Sequence, residues 1–482
     1  MSEQALYGAA RPASVCHHLR AGPVRVKFQD GELRYLHVGG KQIVRRVYFA
    51  VRDAEWDTAM PQFTKMDVRP SDDSFVVDME AVCRLGPVHY EWKGRIEGGS
   101  DGKITIDVDG CAKSDFESPR IGVCLLYGAE SLSGQAFELV KGDGSRSPGA
   151  FPKLISPGLV ATTFRWLRYR TDSGVEVRCG LEEGLFDMED QRNFGDSSFK
   201  AFTRHPYTSD DIKKGDSGRQ VFTIEVNAPA AAVTDEPSGP IRISAAASSP
   251  TGRIPRLLPA SESAPDAAEY SEPNRNRPDF VDKEKITFAL TSAAHLWDDD
   301  TLMENPTAVV DQVRTLKSFE PKATVRVDPV LFDPPYQRTD LDPRNRGLFA
   351  AAWCARMLKY LALAGVDEAV FIVDGPYAKV VLDMLSTSQG AAVSATDAAP
   401  HGPVDAFVVG DGRQRTLWLV NKTAEPHAVE VLFDGAANKL ALQRLGAQSR
   451  SMQRSSVAAD GSHGAASLVL EPFEVVVATA GG

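Results

Sequence analysis

Basic charge is in short supply. Lys and Arg number 54 against 65 Asp and Glu, a formal net charge of −11 over 482 residues. An acidic chain of this kind is a poor binder of polyanions, so nucleic acid and anionic membrane surfaces are not expected partners. Cysteine is sparse. Cys16, Cys83, Cys111, Cys124, Cys179 and Cys354 stand singly with no CxxC pair, which predicts reduced, mostly buried thiols. Met1 to Gln4 carries neither the basic nor the apolar part of a secretory leader. No apolar run approaches the roughly 18 residues of a membrane span. These absences predict a soluble, cytoplasmic protein.

Common chemical signatures are missing too. There is no GxxxxGK[ST] phosphate loop, no GxGxxG after a strand and no GxSxG elbow. The nine histidines include the adjacent His17-His18 but no HxxxH or HExxH spacing. The expectation is therefore no cofactor and no metal.

What is present divides by period. Residues 1–227 show β-branched and aromatic residues in alternation between turn signals, as in Val24-Arg25-Val26-Lys27-Phe28 and Ile104-Thr105-Ile106-Asp107-Val108. Their number predicts a large antiparallel β-sandwich. Residues 228–270 are rich in Ala, Pro and Ser and predict a linker with one short strand between Pro240 and Ala245. From Lys285 strand-like runs alternate with helical periods. Ile286 to Leu290, Thr324 to Val327 and Val370 to Val373 read as strands, and Val309, Val310, Val313 and Leu316 mark a helix that Asn305-Pro306 would start. Asp342-Pro343 would cap a second helix and Gly365 would end it. This alternation predicts a parallel α/β segment over 271–403. Short strands around Asp411-Gly412 and Asp434-Gly435 then predict a small antiparallel β-domain over 404–482.

The densest polar run lies between Asp187 and Lys200, with four acids, an Arg, a Lys and two amides in fourteen residues. It reads either as a solvated turn with surface ion pairs or as a rim of hydrogen-bonding groups for a polyhydroxylated ligand. Met188-Glu189-Asp190-Gln191-Arg192-Asn193, followed by Asp196, Ser198, Phe199 and Lys200, resembles a signature of the D-apionate lactonase family. Leu19 to Pro23, Leu33-Arg34-Tyr35, Val51-Arg52-Asp53, Asn274 to Pro278, His295 to Asp299 and Leu348 to Trp353 resemble the same family in the same order.

The resemblance implies a β-sandwich, a TIM-type barrel and a C-terminal β-domain, and the hydrolysis of a branched sugar-acid lactone (apionolactone to apionate). Two departures accompany it. The stretch from 228 to 403 is shorter than the roughly 200 residues of a (β/α)₈ barrel and offers four plausible parallel strands, so the barrel is expected to be incomplete, with early βα units lost between about Pro259 and Glu272. Asp374 falls where the family leads one to expect a glutamate, and is one methylene shorter.

Lactone hydrolysis needs a base for water, donors for the oxyanion and an acid for the leaving ring oxygen. Barrel enzymes place such groups at C-terminal strand ends. The candidate catalytic residues are Glu272, His295 and Asp374, and the candidate substrate-binding residues are Glu189, Asp190, Arg192, Asn193, Lys200, Asn274, Arg275 and Asp298. The bland alternatives are a packed loop histidine at 295, helix N-terminal charges at 298–300 and an exposed Glu272. The expected partner is a small sugar-acid lactone or related carbohydrate, with the oligomeric state open. The rival functions are a catalytically degenerate relative that acts as a carbohydrate-binding or assembly module, and a glycoside hydrolase with two carboxylates facing across a cleft.

Overall fold

The computed structural model describes residues 2–481 except 12–13, 204–209, 234–238, 246–250, 265, 294, 333–341, 400–401, 412–414, 434–438 and 460–463. The turns expected at Asp411-Gly412 and Asp434-Gly435 lie partly or wholly outside the described residues. The chain forms two compact units. One contains Ala13–Gln191 and Ser198–Pro237; the other contains Met1–Pro12, Arg192–Ser197 and Ser238–Gly482.

The first unit is built on a 16-stranded antiparallel sheet. Alternating apolar residues give each strand one buried face. Val26 and Phe28, near one end of the strand order, share a single apolar cluster with Val77 and Met79, near the other end. The sheet thus doubles over on itself as a sandwich. Four central strands matter below: β1 (Lys41–Val51), β2 (Ile121–Gly128), β3 (Phe186–Asp190) and β4 (Ser198–Thr203), in the spatial order β1-β2-β4-β3.

The second unit holds the α/β segment and the C-terminal strands. Its parallel sheet contains β5 (Arg256–Leu258), β6 (Lys285–Thr291), β7 (Thr324–Leu331) and β8 (Glu368–Ile372), in the order β5-β8-β7-β6. Among the described residues it is open and has four strands where a closed barrel has eight. The first strand pairs in parallel with the last. Among the described residues five helices accompany the sheet: α1 (Ser271–Arg275), α2 (Asp299–Glu304), α3 (Ala308–Phe319), α4 (Leu348–Ala364) and α5 (Pro376–Ser386).

Helix α4 is Ala-rich and buried along nearly its whole length, and Gly365 ends it at φ +76 with its N–H on the Ala362 carbonyl. Asp342 caps the short turn Pro343–Arg346, and α4 itself starts one residue after that turn, at Leu348. Glu368, at the N-terminal end of β8, pairs with Arg256 and Lys285, so the bottom of the sheet is closed by charge.

Where one short strand was expected between 228 and 270, the described residues form three. Ile241–Ser244 pairs in parallel with His427–Leu432, Gly252–Arg253 pairs with Ala392–Ala395, and β5 pairs with β8. Each is a brief edge strand, and edges of two to four residues leave no periodicity to read. The C-terminal strands form a seven-stranded and a three-stranded sheet around one apolar cluster that includes Ile243, Leu419, Val431 and Leu468. Among the described residues no helix is long and apolar enough to cross a membrane.

Candidate active site

The segment Arg192–Ser197 leaves β3 and rejoins at β4, but its contacts are with the α/β unit. Gly195 sits at φ +90, and a Cβ there would lie 2.5 Å from the Thr291 carbonyl oxygen at the end of β6. Only glycine allows both that conformation and that approach.

Around this pivot the polar side chains are fixed. Arg192, fully buried, donates from Nη1 to Asp311 Oδ2 at 2.7 Å, and its carbonyl accepts from Gln312 Nε2 at 2.8 Å. Both partners come from α3. Asn193 Oδ1 accepts from Asn274 Nδ2 at 2.8 Å, and Asn274 Oδ1 accepts from Arg277 Nη2 at 2.7 Å. The solvated-turn reading therefore fails for Arg192 and Asn193.

At the end of the segment stands a carboxylate–imidazole pair. Asp196 Oδ2 lies 2.7 Å from His295 Nδ1. Its other oxygen accepts from Asn305 Nδ2 at 2.7 Å, and that same amide donates to the Ser292 carbonyl at 2.9 Å. The Ser197 N–H completes the bracket on Asn305 Oδ1 at 3.2 Å.

His295 follows the C-terminal end of β6, and its side chain keeps 22% exposure. A carboxylate on Nδ1 favours the Nδ1–H tautomer and leaves Nε2 as the basic nitrogen. The Phe194 ring meets the imidazole edge-on at 5.1 Å, and the Arg275 guanidinium lies 5.2 Å from the centre of that same ring. An imidazole, a carboxylate bonded to it and an exposed guanidinium are thus held in one cluster.

The other candidates fall elsewhere. Glu272 is exposed on α1 and accepts from Asn276 Nδ2 at 2.7 Å. Asp374 is exposed just past β8. Asp298 is the N-cap of α2, with its two oxygens accepting from the Thr301 N–H and hydroxyl at 3.1 and 2.8 Å. Here the helix-terminus reading holds. Glu189, Asp190 and Lys200 belong to the sandwich unit. Lys200 Nζ reaches Glu189 Oε1 at 3.0 Å and Gln191 Oε1 at 3.1 Å, and Asp190 Oδ2 accepts from the Ser156 N–H at 3.1 Å. Burial lowers the Lys200 pKa despite the Glu189 carboxylate beside it.

Asp196, Asn305, Asp311 and Gln312 join this cluster although the sequence did not single them out as candidates. Asp196 was visible inside the polar run. Asn305 was hidden by its own plausibility as a helix start. Its side chain bonds to Asp196 and the Ser292 carbonyl instead. Among the described residues no group of three or more His, Cys, Asp or Glu is arranged to hold a metal ion.

Comparison with known proteins connects these units to one family. Family models match in chain order: the D-apionate lactonase N-terminal domain over residues 4–229, its TIM barrel domain over 266–378 and its C-terminal immunoglobulin-like domain over 401–478. A curated D-apionate lactonase of Brucella anthropi is 32% identical over 201 residues, which is 41% of this chain and 33% of the relative. The match thus spans about a third of that relative's length.

Solved structures are more distant. A putative aldose 1-epimerase from Escherichia coli K12 is 13% identical with a TM-score of 0.32, covering 45% of this chain and 100% of its own. A bifunctional glucanase-xylanase, CelM2, from a metagenome library is 12% identical with a TM-score of 0.32, covering 40% of this chain and 43% of its own. A beta-arabinopyranosidase is 9% identical with a TM-score of 0.28, covering 97% and 98%. These likenesses are too slight to assign a fold or an activity. The three successive domain matches do what they cannot: the chain belongs to the D-apionate lactonase family.

Proposed function

We propose that this protein is a cytoplasmic lactonase-type hydrolase that opens a branched sugar-acid lactone, apionolactone to apionate, by attack of water on the lactone carbonyl. The observation that carries this reading is the Asp196–His295 pair at the end of β6, 2.7 Å apart and partly open to solvent.

His295 Nε2 takes a proton from water as its oxygen bonds to the carbonyl carbon. Asp196 holds the imidazole in register and stabilises the imidazolium. The Arg275 guanidinium meets the oxyanion as it develops. When the tetrahedral intermediate collapses, the ring C–O bond breaks and His295 returns the proton to the leaving oxygen. The product is an open hydroxy acid. In this scheme Glu272 and Asp374 serve at most as acceptors for sugar hydroxyls.

The open four-stranded sheet favours a second reading, a degenerate relative that binds carbohydrate without turning it over. Misplacing a catalytic group by about 1 Å can cost on the order of a hundredfold in rate, and a four-stranded sheet offers fewer strand ends to position such groups than a closed barrel. One experiment separates the two. The purified chain is incubated with a panel of aldonolactones, including apionolactone, and the acid released is titrated at constant pH. The hydrolytic reading expects titrant consumption above the spontaneous rate that is lost in His295→Ala. No enzymatic hydrolysis of any lactone, or hydrolysis unchanged in His295→Ala, overturns it.

A further inference from the structure

The unit that holds the α/β sheet contains a cavity of about 500 Å³, the size of a small-molecule site. Four segments of that unit line it: the short helix Glu3–Tyr7 with its flanks, the turn Pro343–Arg346, the start of α5, and the loop after the strand Lys439–Leu445. Close backbone approach fixes the wall. A Cβ at Gly347 would run into the Leu6 carbonyl, and one at Gly375 into the Asn345 carbonyl. Glycine at both positions lets the turn wedge between the N-terminal helix and α5.

Two arginines line the cavity, Arg346 and Arg450, and no Asp or Glu does. That runs against a chain with 65 acidic residues and 54 basic ones. Each of the two also differs from an arginine close to it in sequence. Arg344, in the same turn as Arg346, is buried and pairs with Asp342 and Asp299. Arg444, on the strand before Arg450, reaches Glu474 at 2.6 Å. Among the described residues the Arg346 and Arg450 side chains have neither an ion pair nor a hydrogen bond. Two guanidinium groups share one cavity with no counter-charge from the protein.

The neutral groups beside them suit an oxyanion and its hydroxyls. Ser449 Oγ accepts from the Ser451 N–H at 3.2 Å and from Gln453 Nε2 at 2.8 Å, which leaves its own proton to donate. Gln4 Nε2 donates to the Gly8 carbonyl at 2.6 Å, which leaves Oε1 as an acceptor. Tyr377, the aromatic residue of the lining, is 5% exposed and offers little ring face for a nucleobase to stack on.

We propose that this cavity binds a phosphomonoester of a small hydroxylated molecule, with the phosphate group between Arg346 and Arg450. A guanidinium fork meets phosphate oxygens bidentately, and two forks from different segments can meet one dianion. The site shares no residue with the Asp196–His295 pair and goes beyond the hydrolytic reading. Its walls come from distant segments of the chain, so occupancy should also stabilise the unit.

The test is calorimetric titration of the full chain with sn-glycerol 3-phosphate at about pH 7.5, where the phosphate is mostly a dianion. Glycerol serves as the uncharged probe and D-glycerate as the carboxylate of the same carbon count. The expected result is saturable binding of glycerol 3-phosphate, with D-glycerate at least about tenfold weaker, the size of one charge-assisted contact. Glycerol should give no saturable heat. Arg346→Gln and Arg450→Gln each change an exposed side chain. Each should weaken the binding by about tenfold or more and leave the melting temperature of the unliganded protein unchanged. Arg84→Gln, at an exposed arginine of the sandwich unit, should leave the affinity as it was. Glycerol 3-phosphate at saturation should raise the wild-type melting temperature. Absence of saturable binding, equal affinity for D-glycerate, wild-type affinity in either cavity variant, or equal weakening in Arg84→Gln each overturns the proposal. Lactone turnover is scored separately, so failure here leaves the hydrolytic reading standing.

Discussion

Asp196 and Asp405 are both buried carboxylates of the α/β unit, and they have opposite surroundings. Asp405 lies beneath α4 on the strand Val404–Val409. It accepts from Arg356 Nε at 2.7 Å and from the Tyr360 hydroxyl at 3.2 Å, and it also pairs with Lys359. Burial alone would raise its pKa, but Lys359 and Arg356 override burial and hold it far below the usual carboxylate range. Asp196 has a neutral amide on one side and an imidazole on the other, and that imidazole still reaches solvent. A carboxylate locked among permanent cations has no protonation left to vary near neutral pH. One paired with a histidine can steady a proton in transit. Burial alone does not tell the two carboxylates apart; the partner does.

The largest effect should come from breaking the pair that the proposed mechanism uses. His295→Ala is expected to lower lactone turnover by about 10²- to 10⁴-fold, the usual reach of general acid–base catalysis. Its melting temperature should stay close to wild type, since a partly exposed ring is removed. Steady-state kinetics and calorimetry on one preparation check both halves. A loss of activity matched by a loss of folded protein would dissolve the distinction from Asp405.

Asp405→Asn should behave in the opposite way. It leaves Arg356 and Lys359 buried without their counter-charge, and breaking a buried pair from one side costs about 3–5 kcal/mol. Urea unfolding should show that loss, while activity per folded molecule is retained. A mild loss of stability would mean that the cations find other acceptors.

A smaller effect concerns pH. Lys422 is nearly buried, and burial followed by repulsion from Arg356 brings its pKa down to about 7. The unfolded amine binds its proton up to about pH 10.4. Between roughly pH 7 and 10 the unfolded chain therefore holds the extra proton, and stability should rise with pH by at most about 1.4 kcal/mol per unit. Asp405 adds no slope in this window. Its contribution is complete above about pH 4, the unfolded carboxylate value, and is lost only in stronger acid as the folded group protonates. Unfolding midpoints at pH 7, 8 and 9 should climb in the wild type and climb less in Lys422→Met. A wild-type profile no steeper than that of Lys422→Met would show that the amine remains charged.

The smallest effect is expected at Glu272. It is exposed and bonded within its own turn, so Glu272→Gln should change lactone turnover by less than about twofold, the scale of a surface substitution. A collapse of turnover in that variant would move the base from His295 to α1.

How much of this was legible depended on where the partners lie in the chain. Three strands of the α/β sheet were visible because Ile286, Val325 and Val370 sit in apolar β-branched runs bounded by polar residues. The Asp187–Lys200 run announced itself by density of charge. What it did there was not legible, since the Arg192 partner is 119 residues away and the Asp196 partner is 99 away. Local rules also misdirected. Asn305-Pro306 satisfies every local criterion for a helix start, and Asp298 looked as fit for a sugar as for a cap. Only tertiary packing turned Asn305 toward Asp196 and left Asp298 to Thr301.

The pairing of β5 with β8 has a kinetic side. Arg256 and Glu368 meet across 112 residues of chain, whereas β6, β7 and β8 succeed one another with a helix between. Contacts between distant segments must meet the entropy of closing the intervening loop before they return anything. A three-residue strand offers few hydrogen bonds in exchange. The β5–β8 seam is therefore also the last part of the sheet to assemble and the first to open, and amide exchange there should run ahead of the β6–β7 ladder.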